Sequence, residues 1–457
     1  MNLLVILAYV AVMLGISIVS LRKVKSLSGF FVADRGAGVG LVTASLLSTI
    51  IGGSATLGMA GLGFSQGLTG AWWMLSGVLG LLVLAAWLAG RIRSLEVFTL
   101  PAILERQYGS QTLRVAASLL IGVAWIGIVA GQMIAAGKIL AVLWPDQTEA
   151  LIVSSGLAFT AYIALAGQHS VLKTDLVQLV VILLGVVLCA VYVPAAGGDW
   201  GTIKAGLPAG HLDFPVSPMF PVGALATYLL FVGLPYLVGP DLYGRVLSAR
   251  DGGTARRALI ISAIVLIPFA FAVTAIGLYA RVLLPGTSPE SAFPAMVLHA
   301  LPAGLAGLVI AALFAAVIPS TSLMTVGSIL TWDVLVPVLR LKLDDRRLVN
   351  LSRVVIVLLG VLSIGIALLV SGIISSLMMT YTVFTSGVVV PLLFGFYAKR
   401  LRLNATGAIL AVLGGGALGL GLKLAGFKDL VLISLPVSVL LLFVGSYAAR
   451  LSGKRHA

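Results

Sequence analysis

The chain has 457 residues, 60% of them hydrophobic and only 10% charged, against roughly a quarter charged in an average soluble domain. Fifteen acidic side chains cannot give so long a chain a mixed-charge, water-facing surface, and the 53 glycines and 18 prolines show neither collagen's period nor a disordered chain's polarity. What remains is an all-α polytopic membrane protein, and its one cysteine, Cys189, excludes a disulfide framework or a multi-cysteine metal site.

A span needs about 20 mostly apolar residues, because lipid offers main-chain groups no partner outside a helix. Thirteen transmembrane helices are expected, near 2–20, 38–66, 70–90, 113–143, 149–167, 174–197, 220–242, 256–282, 303–335, 348–370, 374–398, 404–424 and 429–449. The first lacks a basic leader and a small-residue cleavage pattern, so it reads as a retained span. With the N-terminus outside, every Lys and Arg except Lys138, Lys204, Arg281, Lys423 and Lys428 falls at a cytoplasmic end, as the positive-inside rule requires. The net charge of +14 is therefore an orientation signal, not a nucleic-acid footprint. The longest outside loops, about 198–219 and 286–294, read as short lids or solvated connectors.

Three spans are interrupted. Gly52-Gly53 sits among Ser and Thr residues, and glycine costs roughly 1 kcal/mol against alanine in a helix. An unwound centre offering carbonyls to an ion or solute and plain small-residue packing both account for it. In Ala315-Ala316-Val317-Ile318-Pro319-Ser320-Thr321-Ser322, the proline frees a carbonyl beside three hydroxyls, a hard-oxygen setting for an alkali cation or a back-bonded kink. A third interruption follows at Gly233-Leu234-Pro235-Tyr236 and Gly239-Pro240-Asp241. Breaks at corresponding places in two halves point to a transporter's central site. Their spacing gives a ten-helix core of two inverted five-helix repeats, 38–197 and 220–398, with one extra N-terminal helix (2–20) and two extra C-terminal helices (404–450).

Among polar side chains inside spans, Asp175 either neutralises a passing cation or sits near a helix N-terminus favoured by the dipole. Gln132 is either solute-facing or an interhelical hydrogen bond. Tyr228, Tyr236, Tyr381 and Phe384 are candidate gates, whereas Trp72 and Trp73 suit interface anchors better. His169, His211, His299 and His456 have no zinc spacing.

Taken in order, these pieces resemble the sodium:solute symporter family over almost the whole chain. The likeness rests on Phe30–Arg35, the Gly52–Gly67 stretch, Thr99-Leu100-Pro101 with Arg106–Gly109, and Gly131-Gln132 through Gly137. It continues through Thr174-Asp175 with Gln178, Pro240-Asp241 with Arg245, Ala315 to Asp333, and Pro391 with Lys399-Arg400. The resemblance implies a leucine-transporter-type fold and a sodium ion between the first and eighth core helices. Its ligands would be the carbonyls of Ser48, Ile51 and Val317 and the hydroxyls of Ser320 and Thr321. Aligned from the C-terminal side instead, Val317 and Ile318 fall where the hydroxyls belong, which leaves proton-coupled or uncoupled transport open. Asp175 resembles a member of a second ion site. Gly52, Gly53, Ala55 and Thr56 match the solute-contacting region, so the pocket is sparsely polar and an amino acid-like or carboxylate solute is expected. Na+ is the only cofactor expected. The chain's compactness and short loops lead to the expectation of a cell (inner) membrane, and the Lys and Arg placement to that of a cytoplasmic C-terminus. A channel or a sensory membrane domain suits the pattern less well. An enzyme is not expected, since no nucleophile and base share a span.

Overall fold

The computed structural model describes residues 36–451, apart from 96, 166, 167, 198, 319, 371, 428 and 429. The side chains of 168–176, 197, 320 and 430 also lie outside the described set. The expected 2–20 span, the 30–35 motif, Pro319, and the side chains of Asp175 and Ser320 therefore fall outside it. Regular structure among the described residues is helical, with isolated bridges only at Ala37–Ala249 and Ser217–Phe220. Eleven described helices are long and apolar enough to cross a membrane, and Val39–Ile50 is a shorter apolar helix leading into the first of them.

The first of the eleven, Ser54–Arg93, has 40 residues. At 1.5 Å per residue that is about 60 Å, twice the hydrocarbon thickness. It folds back at Gly67, whose φ of 76° suits glycine, through the 3-10 turn Gly67–Ala71. Gly70 then lies against Leu62 and Gly63. The two legs correspond to the expected 38–66 and 70–90 segments.

A Cβ on Gly67 would stand 2.1 Å from the His211 carbonyl oxygen, and Leu68 N–H donates to that same oxygen at 2.7 Å. The loop after 198 is thus packed onto the turn, with His211 buried. Trp72 stacks on Phe214 at 5.5 Å and donates to the Pro215 carbonyl. Trp73 differs from its expected place at an interface. It is 1% exposed and packs on Tyr228 and Tyr381, because the turn at Gly67 directs it into the bundle.

The long helix Gly252–Leu283 closes against Met59–Gln66 through glycines. A Cβ on Gly277 would stand 2.0 Å from the Ala60 carbonyl oxygen, and one on Gly63 would stand 2.3 Å from that of Thr274. Small residues let backbones approach this closely where lipid gives helices no hydrophobic reason to associate. Gly277→Ala is expected to destabilise the protein by about 1–3 kcal/mol through overpacking. Gly365→Ala, at a site with nothing within 4 Å, should not lower it; melting curves of the purified protein in lipid nanodiscs check both.

Candidate ion and solute site

The first helix break falls at Ile51–Gly53. Val39–Ile50 ends there, and the chain re-enters a helix through the wide turn Ser54–Gly58. The main-chain bonding shows what the glycines achieve. Gly52 N–H donates to Ile50 O at 2.9 Å rather than to Ser48 O, and Ala55 N–H donates to Gly52 O at 3.1 Å rather than to Ile51 O. The regular i→i−4 bonds to the Ser48 and Ile51 carbonyls are both diverted. Gly53 N–H finds the Gln132 Oε1 at 2.7 Å, and Thr56 Oγ1 donates to Gly52 O at 2.9 Å. Gln132 is thus an interhelical bond to the break, and it also lines the cavity beside it. Ala55 is fully buried.

The second break separates Ala303–Ala316 from Ser320–Ile329, with Ile318 N–H turning back to Ala315 O at 3.3 Å. The two breaks meet. A Cβ on Gly53 would stand 3.2 Å from Val317 Cγ1, and Thr49 Oγ1 lies 3.2 Å from Thr321 Oγ1. Ser48 Oγ donates to Gln178 Oε1 at 3.4 Å, which brings the Gln168–Gly197 helix to the same place.

The third interruption contributes Arg245 and Asp241, both on the helix Pro240–Ser248 that restarts after Gly239. Arg245 is 2% exposed; its Nε donates to Thr49 Oγ1 at 3.3 Å and its Nη2 to Thr321 Oγ1. A guanidinium therefore stitches the two broken helices together at the hydroxyl of Thr321. Asp241 Oδ2 accepts from Trp125 Nε1 at 3.0 Å and from Ser322 Oγ at 2.8 Å.

Between these elements lies a cavity of about 60 Å³. Of the sequence-expected gate residues, Gln132, Tyr236 and Tyr381 line it. Tyr228 packs between Trp73 and Phe220, and Phe384 sits edge-on to Trp125 at 4.9 Å, so these two stand behind the walls. Thr49, Ser54, Trp125, Asp241 and Ser322 also line the cavity and were not expected to. Asp241 carried a signal as an acid following Gly-Pro, Ser322 as one of three hydroxyls after the proline, and Thr49 and Ser54 as part of the Ser/Thr surroundings of Gly52-Gly53, whereas Trp125 carried none.

Two ionic ties lie away from the centre. Lys138 pairs with Glu290, whose other oxygen accepts Ile373 N–H at 2.6 Å. At the basic-rich end, Arg114 pairs with the buried Asp333 at 2.5 Å and with Glu105 at 2.8 Å.

Gln132→Leu removes the acceptor of Gly53 N–H and is expected to cost about 1–3 kcal/mol, the penalty for an orphaned buried donor. Gln132→Glu keeps an acceptor and should lose less. The difference in melting temperature between the two variants measures it.

A model of the sodium:solute symporter family matches residues 30–415. The sodium/pantothenate symporter of Escherichia coli (strain K12) is 28% identical over 472 residues, covering 96% of this chain and 95% of that protein. The sodium/glucose cotransporter of Vibrio parahaemolyticus is 23% identical over 473 residues, covering 92% and 85%. The solved structure of a Na+-coupled sialic acid symporter, substrate-bound and outward-open, superposes with a TM-score of 0.80 at 19% identity, covering 98% of each chain, which shows a shared fold. The chain belongs to the sodium:solute symporter family, a family of membrane transporters and not of enzymes.

Proposed function

We propose that this protein is a secondary active transporter that carries sodium and a small organic solute together into the cell by alternating access. Its core is two inverted five-helix repeats, and it sits in a cell (inner) membrane with the N-terminus outside and the C-terminus cytoplasmic. Sodium is held between the first and eighth core helices by the carbonyls of Ser48, Ile51 and Val317 and the hydroxyls of Ser320 and Thr321. The observation that carries this reading is the bonding at the first break. There the Ile51 carbonyl loses its regular helical donor, because Ala55 N–H turns to Gly52 O, and the break abuts the helix bearing Thr321. Asp175 remains the candidate for a second ion.

The solute occupies the cavity beside Gly52 and Gly53, with Tyr236 and Tyr381 at its wall. The relatives' named solutes are as different as pantothenate and glucose, so the solute's identity rests on the cavity and not on likeness. At about 60 Å³ the cavity suits a small amino acid-like or carboxylate solute better than a bulkier sugar. Each positive charge moving inward gains about 2.3 kcal/mol per 100 mV, roughly fiftyfold in accumulation from voltage alone. Coupling requires that sodium favour one arrangement over the other.

Arg245 supplies such a preference. Its donor on Thr321 Oγ1 and a sodium ion on the same oxygen repel one another, so sodium binding and this stitch exclude each other. A proton-coupled carrier of the same fold is the second reading, and the same contact favours it, since it places a fixed cation at the expected ion ligand.

Uptake into proteoliposomes separates the two. Saturable, sodium-driven uptake abolished by Ser320→Ala with Thr321→Ala supports the ion assignment, and unchanged sodium dependence in that double variant refutes it. Arg245→Gln is expected to lower the sodium concentration giving half-maximal binding by about tenfold, the worth of one charge-assisted contact. An unchanged or weakened sodium affinity would contradict the competition.

A further inference from the structure

We infer that Asp241 is the solute-recognising group of the central cavity, and that the solute it selects carries a protonated amine with at least one N–H. This rests on the transport reading above and names the substrate class of the same site. Asp241 is 8% exposed and lines the cavity. One carboxylate oxygen, Oδ2, is fully engaged by the Trp125 indole N–H and the Ser322 hydroxyl. The other, Oδ1, is buried with no donor in hydrogen-bonding geometry, although the Thr325 hydroxyl stands near the carboxylate.

An acceptor held out of water without a donor is costly, more so when charged. A group retained in that condition beside a cavity fits a donor that arrives from the cavity. Two donors on Oδ2 fix the carboxylate's orientation before a solute enters, so little ordering is left to be done on binding.

The remaining walls agree with a cationic guest. The rings of Trp125, Tyr236 and Tyr381 surround the same space, and aromatic faces attract cations. Thr49, Ser54, Gln132 and Ser322 add polar positions around it, so the cavity is more polar than the Gly52–Thr56 stretch alone implied. Arg245, one turn beyond Asp241 on the same helix, donates to Thr49 and Thr321. Its charge makes the neighbourhood close to neutral, which suits a zwitterion as well as a simple amine.

The measurement is ligand-induced stabilisation of the purified protein in lipid nanodiscs with sodium present. The probes are the standard amino acids and a set of aliphatic mono- and diamines. Each is paired with an analogue that keeps the carbon skeleton and replaces the amine by hydroxyl, ether oxygen or hydrogen: alanine with lactate, proline with tetrahydro-2-furoate. The expected result is that at least one amine stabilises the protein and its analogue needs about tenfold more, or fails. Asp241→Asn should then lose the amine response by about tenfold while still responding to sodium, which shows that the variant is folded. If Asp241→Asn does not fold, Asp241→Glu carries the test, and it should retain the preference for the amine over its analogue.

No response to any amine, an equal response to the analogues, or an unchanged response in Asp241→Asn would overturn the inference. Its failure is distinguishable from that of the transport reading. Sodium-driven uptake of solutes without an amine leaves symport intact and removes Asp241 from recognition. Amine binding and transport that ignore sodium do the reverse.

Discussion

The architecture depends on one constraint: a helix broken inside a membrane must have its loose main-chain groups satisfied by protein, because hydrocarbon offers nothing. Here the satisfaction is selective. The donor of Gly53 is taken by Gln132, and the carbonyl of Gly52 is taken by Thr56 and two main-chain N–H groups. The Ser48 and Ile51 carbonyls are passed over by their regular donors. A glycine pair makes this possible because its missing side chains admit the Gln132 amide and Ala135 at contact distance. A main-chain oxygen that its regular helical donor bypasses, as at Ile51, is the kind of ligand an alkali cation takes.

The charged groups inside the bundle tie elements that are distant in sequence. Arg114 and Asp333 are 219 positions apart, Arg245 and Thr49 are 196 apart, and Lys138 and Glu290 are 152 apart. Breaking one member of a buried pair leaves an uncompensated charge, so these ties hold packed elements in register. They are also discrete, made or unmade, which gives a two-state rearrangement defined contacts to exchange. Arg245 stands out because it lies between the two broken helices, donating to a hydroxyl on each.

Much of the fold was legible in sequence, for physical reasons. Apolar runs long enough to cross a bilayer announce themselves, and Gly-Gly at 52–53 and the proline at 319 marked the helix breaks because each removes something a helix needs. Partners were not legible. Nothing in the sequence says that Thr49 meets Thr321 across 272 positions, or that a loop carbonyl at His211 caps the turn at Gly67. Trp73 was read as an interface residue from its type and place near a helix end, but a positive φ at Gly67 turns it inward. Trp125 gave no signal at all inside an apolar run, while Asp241 did. Tyr236 and Tyr381 were visible as candidate gates, yet the same logic also selected Tyr228 and Phe384, which stand behind the cavity wall. Aromatic type marks a packing region well and an exposed face poorly.

The central claim is that the two helix breaks face each other, with Thr49 against Thr321. Disulfide formation between Thr49→Cys and Thr321→Cys, with Cys189 replaced by Ser, tests it most directly in native membranes. The account predicts rapid crosslinking of this pair under oxidant. A pair that stays reduced under oxidant, while Ser386→Cys with Ser434→Cys crosslinks where their hydroxyls meet, would contradict it.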